Sequence, residues 1–122
     1  MKKRIIAFFS LTALILSSLV SCMPEAYTGE LTINEIMAKN SSFLSDSTGA
    51  FPDYVELKNT GDVPVRLSDW FISDEELDPA KYNLPDVTLE AGGYITVFCD
   101  GENYFNAEND EIHASFSISS SG

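Results

Sequence analysis

From Leu31 to Ile118 apolar side chains recur at every second position in one short run after another, and such runs bury their apolar faces only as sheet. Leu31, Ile33, Glu35 and Met37 alternate with Thr32, Asn34, Ile36 and Ala38, where Ile36 falls off the pattern and marks a bulge. Asp53 to Asn59 sets Val55 and Leu57 against Tyr54, Glu56 and Lys58, then enters the turn Asn59-Thr60-Gly61-Asp62. Val63 to Leu67 carries Pro64, which belongs at an edge or a strand start, and Trp70-Phe71-Ile72 is the next strand. Val87-Thr88-Leu89 leads through Glu90-Ala91-Gly92-Gly93 into Tyr94 to Cys99. Near the end, Ile112, Ala114, Phe116 and Ile118 face one way, with His113, Ser115, Ser117 and Ser119 opposed to them. No run shows a helical stripe; Ser73 with Glu76 could cap one turn over Asp74 to Tyr82, which Pro79 keeps short. Ser73 to Asp86 and Asp100 to Glu111 read as long acidic loops. Short strands at a spacing of about 10 residues, with Gly, Pro and Asn between them, predict an all-β sandwich.

Ahead of this rhythm stands a different kind of segment. Lys2, Lys3 and Arg4 precede an apolar run from Ile5 to Val20, and Leu19-Val20-Ser21-Cys22 closes it as a lipobox. The reading is a bacterial lipoprotein signal peptide over 1–21, a lipidated Cys22 with a tether over 22–29, and one domain over 30–122. The alternatives are an uncleaved anchor helix and an ordinary secretory signal with an incidental cysteine. The run is short of the roughly 20 residues a span needs, and Ser10, Thr12, Ser17 and Ser18 dilute it. One acyl chain holds a protein on a membrane only marginally, so a stable anchor requires more than one on Cys22. The expected location is extracytoplasmic, lipid-anchored to a bacterial membrane. Met23 in place of an aspartate after the cysteine points to the outer membrane or the cell surface.

Beyond residue 21 four basic residues (Lys39, Lys58, Arg66, Lys81) stand against all 19 acidic ones, a formal charge of −15. Such a surface repels nucleic acid and anionic headgroups and favours cations or basic partners. Cys99 lies in the strand-like run Tyr94 to Cys99 and reads as a buried small apolar residue; a bridge to Cys22 requires that Cys22 not be lipidated.

The chemistry-bearing residues are few. Asp46, Thr48, Asp53 and Glu56 surround a glycine turn and offer oxygen ligands for calcium, the one cofactor the sequence suggests; the plainer reading is a polar loop bonded to its own backbone. Asp74, Glu75 and Glu76 form an acidic run that is either a solvated face or a partner contact. His113 is the sole histidine, alternating outward from its strand among serines, and no nucleophile elbow accompanies it. Glu35 and Glu56 lie inside strands and read as scaffold residues bonding backbone or an arginine such as Arg66, rather than as an acid–base pair. Tyr104 and Phe105 either reach a partner or fold back to plug one end of the sandwich. No enzymatic activity is expected of this chain.

Five pieces in order carry a family resemblance. They are Ile33 to Asn40, Asp53-Tyr54-Val55-Glu56-Leu57-Lys58-Asn59-Thr60-Gly61, Val65-Arg66-Leu67-Ser68-Asp69-Trp70, Leu89-Glu90-Ala91-Gly92-Gly93-Tyr94, and His113 to Ile118. Together they resemble the lamin tail domain over about residues 30 to 122. The resemblance implies an immunoglobulin-like β-sandwich used as an add-on module of exported proteins. The opening pieces look most like the N-terminal module of spore-coat-kinase-like proteins. Tyr54 stands where the family has a tryptophan or bulky aromatic before its apolar-Glu-Leu motif. The family also continues about two strands past Ser119-Ser120-Ser121-Gly122, so the expectation is a longer native polypeptide and a domain lacking its last strands. The function implied is non-catalytic adhesion, scaffolding or protein–protein contact through the loops Ser41 to Pro52, Ser73 to Asp86 and Asp100 to Glu111. Two further readings are an accessory domain of a longer exported enzyme and a calcium-dependent binding domain.

Overall fold

The computed structural model describes residues 29–118. The signal peptide, Cys22, most of the tether, Ser119 and the expected missing strands lie outside the described residues. Among the described residues no helix is long and apolar enough to cross a membrane.

Among the described residues nine strands form an immunoglobulin-like β-sandwich. They are β1 Leu31–Met37, β2 Tyr54–Asn59, β3 Val65–Arg66, β4 Phe71–Ile72, β5 Tyr82–Asn83, β6 Thr88–Leu89, β7 Tyr94–Phe98, β8 Tyr104–Asn106 and β9 Glu111–His113. One layer is a five-stranded sheet in the order β1-β2-β7-β9-β8, and the other is built from the two ribbons β3-β6 and β4-β5. The large sheet is antiparallel except where β9 lies parallel to β7. Val55, Leu57, Val97, Ile112 and Ala114 from the sheet meet Val65, Leu67, Ile72, Leu84 and Leu89 from the ribbons, and Phe116 closes the core. The alternation of β2 and β7 explains this, since every second residue of each must point toward the ribbons. Trp70 is half-buried against the same cluster.

The off-pattern Ile36 has a structural cause. Register slips by one residue between Ile33 and Glu35, which leaves Glu35 opposite Glu56 and Ile36 opposite Val55. Ile36 is therefore 51% exposed beside the free edge of the sheet. The expected helical turn after Ser73 is absent. The Ser73 hydroxyl accepts from the Glu75 N–H instead, and the segment returns as β5. A second short strand, β8, occupies the middle of what reads in sequence as the loop Asp100 to Glu111.

Asn59 ends β2 with no exposed surface, as a buried knot. Its amide donates to the carbonyls of Val63 (2.7 Å) and Leu89 (3.0 Å), and its Oδ1 accepts from the Gly61 N–H at 3.0 Å. Its backbone also pairs with Gly92 and Gly93. The turn chemistry legible at Asn59-Thr60-Gly61 thus fixes one whole end of the sandwich.

Candidate functional site

The opposite end is built on a row of side chains that crosses all five strands. Met37, Tyr54, Phe98, His113 and Tyr104 stand in register on β1, β2, β7, β9 and β8. They point away from the core, because their neighbours Val55, Val97 and Ile112 point into it. Ring centroids are 6.4 Å apart for Tyr54 and Phe98, 5.1 Å for Phe98 and His113, and 6.0 Å for Tyr104 and His113.

Over this row hangs the loop that joins β1 to β2. Asn40 holds its neck, accepting from the N–H groups of Phe43 and Leu44 and donating to the carbonyls of Leu44 and Pro52. The Asn40 N–H is bound in turn by Asp53 Oδ1 at 2.8 Å. The tip is an Asp-centred turn. Asp46 Oδ1 accepts from the Thr48 N–H (2.8 Å), the Thr48 hydroxyl (2.7 Å) and the Ala50 N–H (3.0 Å). Gly49 follows at φ +86°, a backbone region that side chains with a Cβ rarely enter. The Thr48 hydroxyl above all holds the Asp46 carboxyl below its ordinary range.

Between this loop and the β7–β8–β9 segment lies a cleft of about 710 Å³. Asp46, Ser47, Thr48, Phe51 and Pro52 line one side, with Asp100, Glu102, Tyr104, Glu111 and His113 opposite. Phe51 (42% exposed) and Tyr104 (52% exposed) supply apolar walls, and among the described residues no lysine or arginine lines the space. On the far wall Asp100 Oδ1 accepts from the Glu102 N–H at 3.1 Å and Gly101 takes φ +83°, which turns that segment back toward β8. One fixed link joins the two walls: Glu111 accepts from the Ser47 N–H (2.8 Å) and the Ser47 hydroxyl (2.7 Å).

His113 sits at the floor. The sequence reading has it alternating outward from its strand; it does leave the core face, yet only 5% of it is exposed. The rings of Phe98 and Tyr104 and two carboxylates enclose it, and nothing in the local alternation signals that cover. Its Nδ1 lies 2.7 Å from Asp100 Oδ2 and its Nε2 lies 3.2 Å from Glu111 Oε1. Burial works against charge on the ring, but the two carboxylates outweigh it, and the pKa of His113 is raised. Burial likewise opposes ionisation of Glu111, while Ser47 and His113 outweigh it and lower its pKa.

The calcium candidates occupy separate places. Asp46 and Thr48 bond each other at the loop tip, Asp53 binds the Asn40 N–H, and Glu56 accepts from Asn34 across the sheet at 2.6 Å. Among the described residues no group of three or more His, Cys, Asp or Glu side chains is arranged to hold a metal ion. Asp74 and Glu75 pair with Lys81, and Glu76 is exposed in the same loop, away from the cleft. Tyr104 and Phe105 divide the roles left open for them: Tyr104 walls the cleft and Phe105 packs on the core. Glu35 accepts from the Tyr54 hydroxyl at 3.1 Å, and Arg66 pairs with Asp86 rather than with either strand glutamate. Cys99 is a buried thiol, unbridged among the described residues, whose pKa is pushed up to about 12 by burial and then by Asp100.

The site missing from the sequence reading is the His113–Asp100–Glu111 cluster. One half of it was available, because Glu111 and His113 are two apart on a strand and must share a face. The other half, Asp100 and Ser47, is brought in by tertiary folding alone.

The sequence matches the family model described as Lamin Tail Domain over residues 24–121. No curated protein and no solved structure matches it.

Proposed function

The chain belongs to the lamin tail domain family of non-catalytic, immunoglobulin-like domains, and on that premise we propose that it is an exported, lipid-anchored recognition module whose contact surface is the cleft above His113. The observation that carries this reading is convergence. The Ser41 to Pro52 loop and the Asp100 to Glu111 segment, far apart in sequence, form the two walls of one space with exposed aromatic faces. Contact residues on loops held by a rigid sheet are the usual recognition arrangement in sandwiches.

Charge names the partner. Asp46, Asp100, Glu102 and Glu111 line the cleft, and a lysine or arginine side chain meets both these carboxylates and the rings of Phe51 and Tyr104 there. The partner is therefore a basic segment of another exported protein, and the role is adhesion or scaffolding at a membrane surface. The signal sequence and Cys22 support the anchor.

Two measurements test this. The mass of the native protein should report cleavage before Cys22 and acyl groups on it; an unmodified Met1 end sinks the anchor. In amide NMR of the full-length protein, an arginine-rich peptide should shift Phe51, Glu102 and Tyr104, and a glutamate-rich peptide of equal length should not. Equal effects from both peptides, or none from the basic one, overturn the cleft as a site for basic partners.

A further inference from the structure

His113 has a carboxylate oxygen at each of its two ring nitrogens. An ionised carboxylate only accepts, and a neutral imidazole donates from only one nitrogen. Both contacts, to Asp100 and to Glu111, are therefore hydrogen bonds together only when the ring is an imidazolium. Glu111 is shared: Oε1 faces His113 and the Ser47 hydroxyl, and Oε2 takes the Ser47 N–H. Among the described residues these two bonds to Ser47 are the only hydrogen bonds between the Ser41 to Pro52 loop and the Asp100 to His113 segment.

We propose that Asp100, His113, Glu111 and Ser47 form a proton-controlled latch that ties the Ser41 to Pro52 loop to the sheet while His113 is charged and releases it when the proton leaves. The order of loss follows from geometry. The neutral ring keeps its shorter contact, to Asp100 at 2.7 Å. Its Nε2 lone pair then faces Glu111 Oε1, a repulsive contact between two acceptors. Glu111, 11% exposed along its side chain, loses its counter-charge and gains by moving into water, and its departure takes the anchor from Ser47.

Among the described residues every charged group around the ring has the same sign. Asp100 reaches it from the β7–β8 turn, Glu111 from β9, Asp46 from the hanging loop, and Glu102 from the cleft rim. The neighbours on β7 and β8 are the uncharged rings of Phe98 and Tyr104, whose faces also favour a cation. Burial opposes the charge, but Asp100 and Glu111 hold the proton on His113, in line with its raised pKa. The latch sets the shape of the cleft, so its biological use rests on the recognition role proposed above, whereas its mechanics do not.

The test uses the full-length protein without ligand. A pH series by NMR follows the His113 ring, together with hydrogen-exchange protection factors for the Ser47 and Thr48 amides. Protection at Ser47 should fall at least about tenfold as pH rises, with the same midpoint as the ring, while Gly61 and Gly93 at the other end stay level. In His113→Gln the Ser47 protection should no longer depend on pH across that range. Glu111→Gln, which retains the histidine, should lower the ring's midpoint and weaken Ser47 protection at acidic pH, and it serves if His113→Gln does not fold. A Ser47 amide indifferent to the ring's titration overturns the latch, and so does an unchanged pH response in His113→Gln. The basic peptide separates the two ideas. If it shifts nothing at any pH while Ser47 still follows His113, recognition fails and the latch stands. If it binds equally below and above the ring's midpoint, the latch does not govern the site and is overturned as its regulator.

Discussion

At one end of the large sheet the neutral Asn59 amide ties the β2–β3 turn to the end of β6; at the other His113 bridges Asp100 and Glu111 on one cleft wall, and Glu111 in turn holds Ser47 of the other. Both side chains are buried and both are satisfied, Asn59 by backbone groups alone and His113 by two carboxylates. The amide holds its bonds at every ordinary pH. The imidazole holds both of its contacts only while protonated. The His113 end also carries the open cleft. A polar group placed purely to hold a fold gains by being neutral and bonded to backbone. A charged one brings a dependence on conditions, and here it stands where the loops meet solvent.

The largest effect is expected at Asn59. Asn59→Ala strips a partner from the Val63 and Leu89 carbonyls and from the Gly61 N–H at a fully buried site. At about 1 kcal/mol or more for each group, the loss is about 3 kcal/mol. Thermal melts should show a midpoint about 12 °C lower or more. A variant that melts within about 2 °C of the parent removes Asn59 as the closing knot.

Next comes pH. His113 has a raised pKa, so its contribution is fully present below the ordinary histidine value of about 6.5 and disappears as pH climbs through the raised one. Glu111 and Asp46 have lowered values, so their contributions exist above the ordinary carboxylate range and vanish as pH falls through the depressed ones. Urea midpoints should peak between these limits and decline as pH climbs past the ordinary histidine value and through the raised one. The alkaline decline should be missing in His113→Gln and intact in Asn59→Ala. A decline that survives removal of the histidine assigns the pH dependence to some other group.

Ser47→Ala keeps the backbone bond to Glu111 and loses only the hydroxyl bond of 2.7 Å. The expected cost is about 0.5–1 kcal/mol by denaturant titration, with a weaker pH response. Smallest of all is Arg66→Ala. Arg66 meets Asp86 at 3.7 Å with both side chains largely exposed, and the change should stay below about 0.5 kcal/mol. A larger loss there means that the ribbon end depends on surface charge more than its geometry implies.

Much of the fold is legible because alternation is local. β1, β2 and β7 carry enough residues for the period to show, and even the slip near Ile36 leaves a trace in the pattern. β5 and β8 are too short to alternate visibly, so their residues read as loop. At the site, the acidic loops are legible as contact surfaces, and the pairing of two of them into one cleft is not. His113 shows the limit well. Period two assigns its face correctly, but says nothing of what covers that face, because Asp100 and the ring of Phe98 reach it through the register of other strands.

Local patterning along the chain dictates that it makes sheets, where most strands run, which side chains enter the core, and that Asn59 begins a turn. These depend on neighbours a few residues apart. Tertiary packing alone brings Ser47 to Glu111 and Asp100 to His113, and sets a buried histidine between two carboxylates at the floor of a cleft. Contacts of that kind form between chain segments far apart in sequence, and the register of five strands, rather than any local preference, sets their distances.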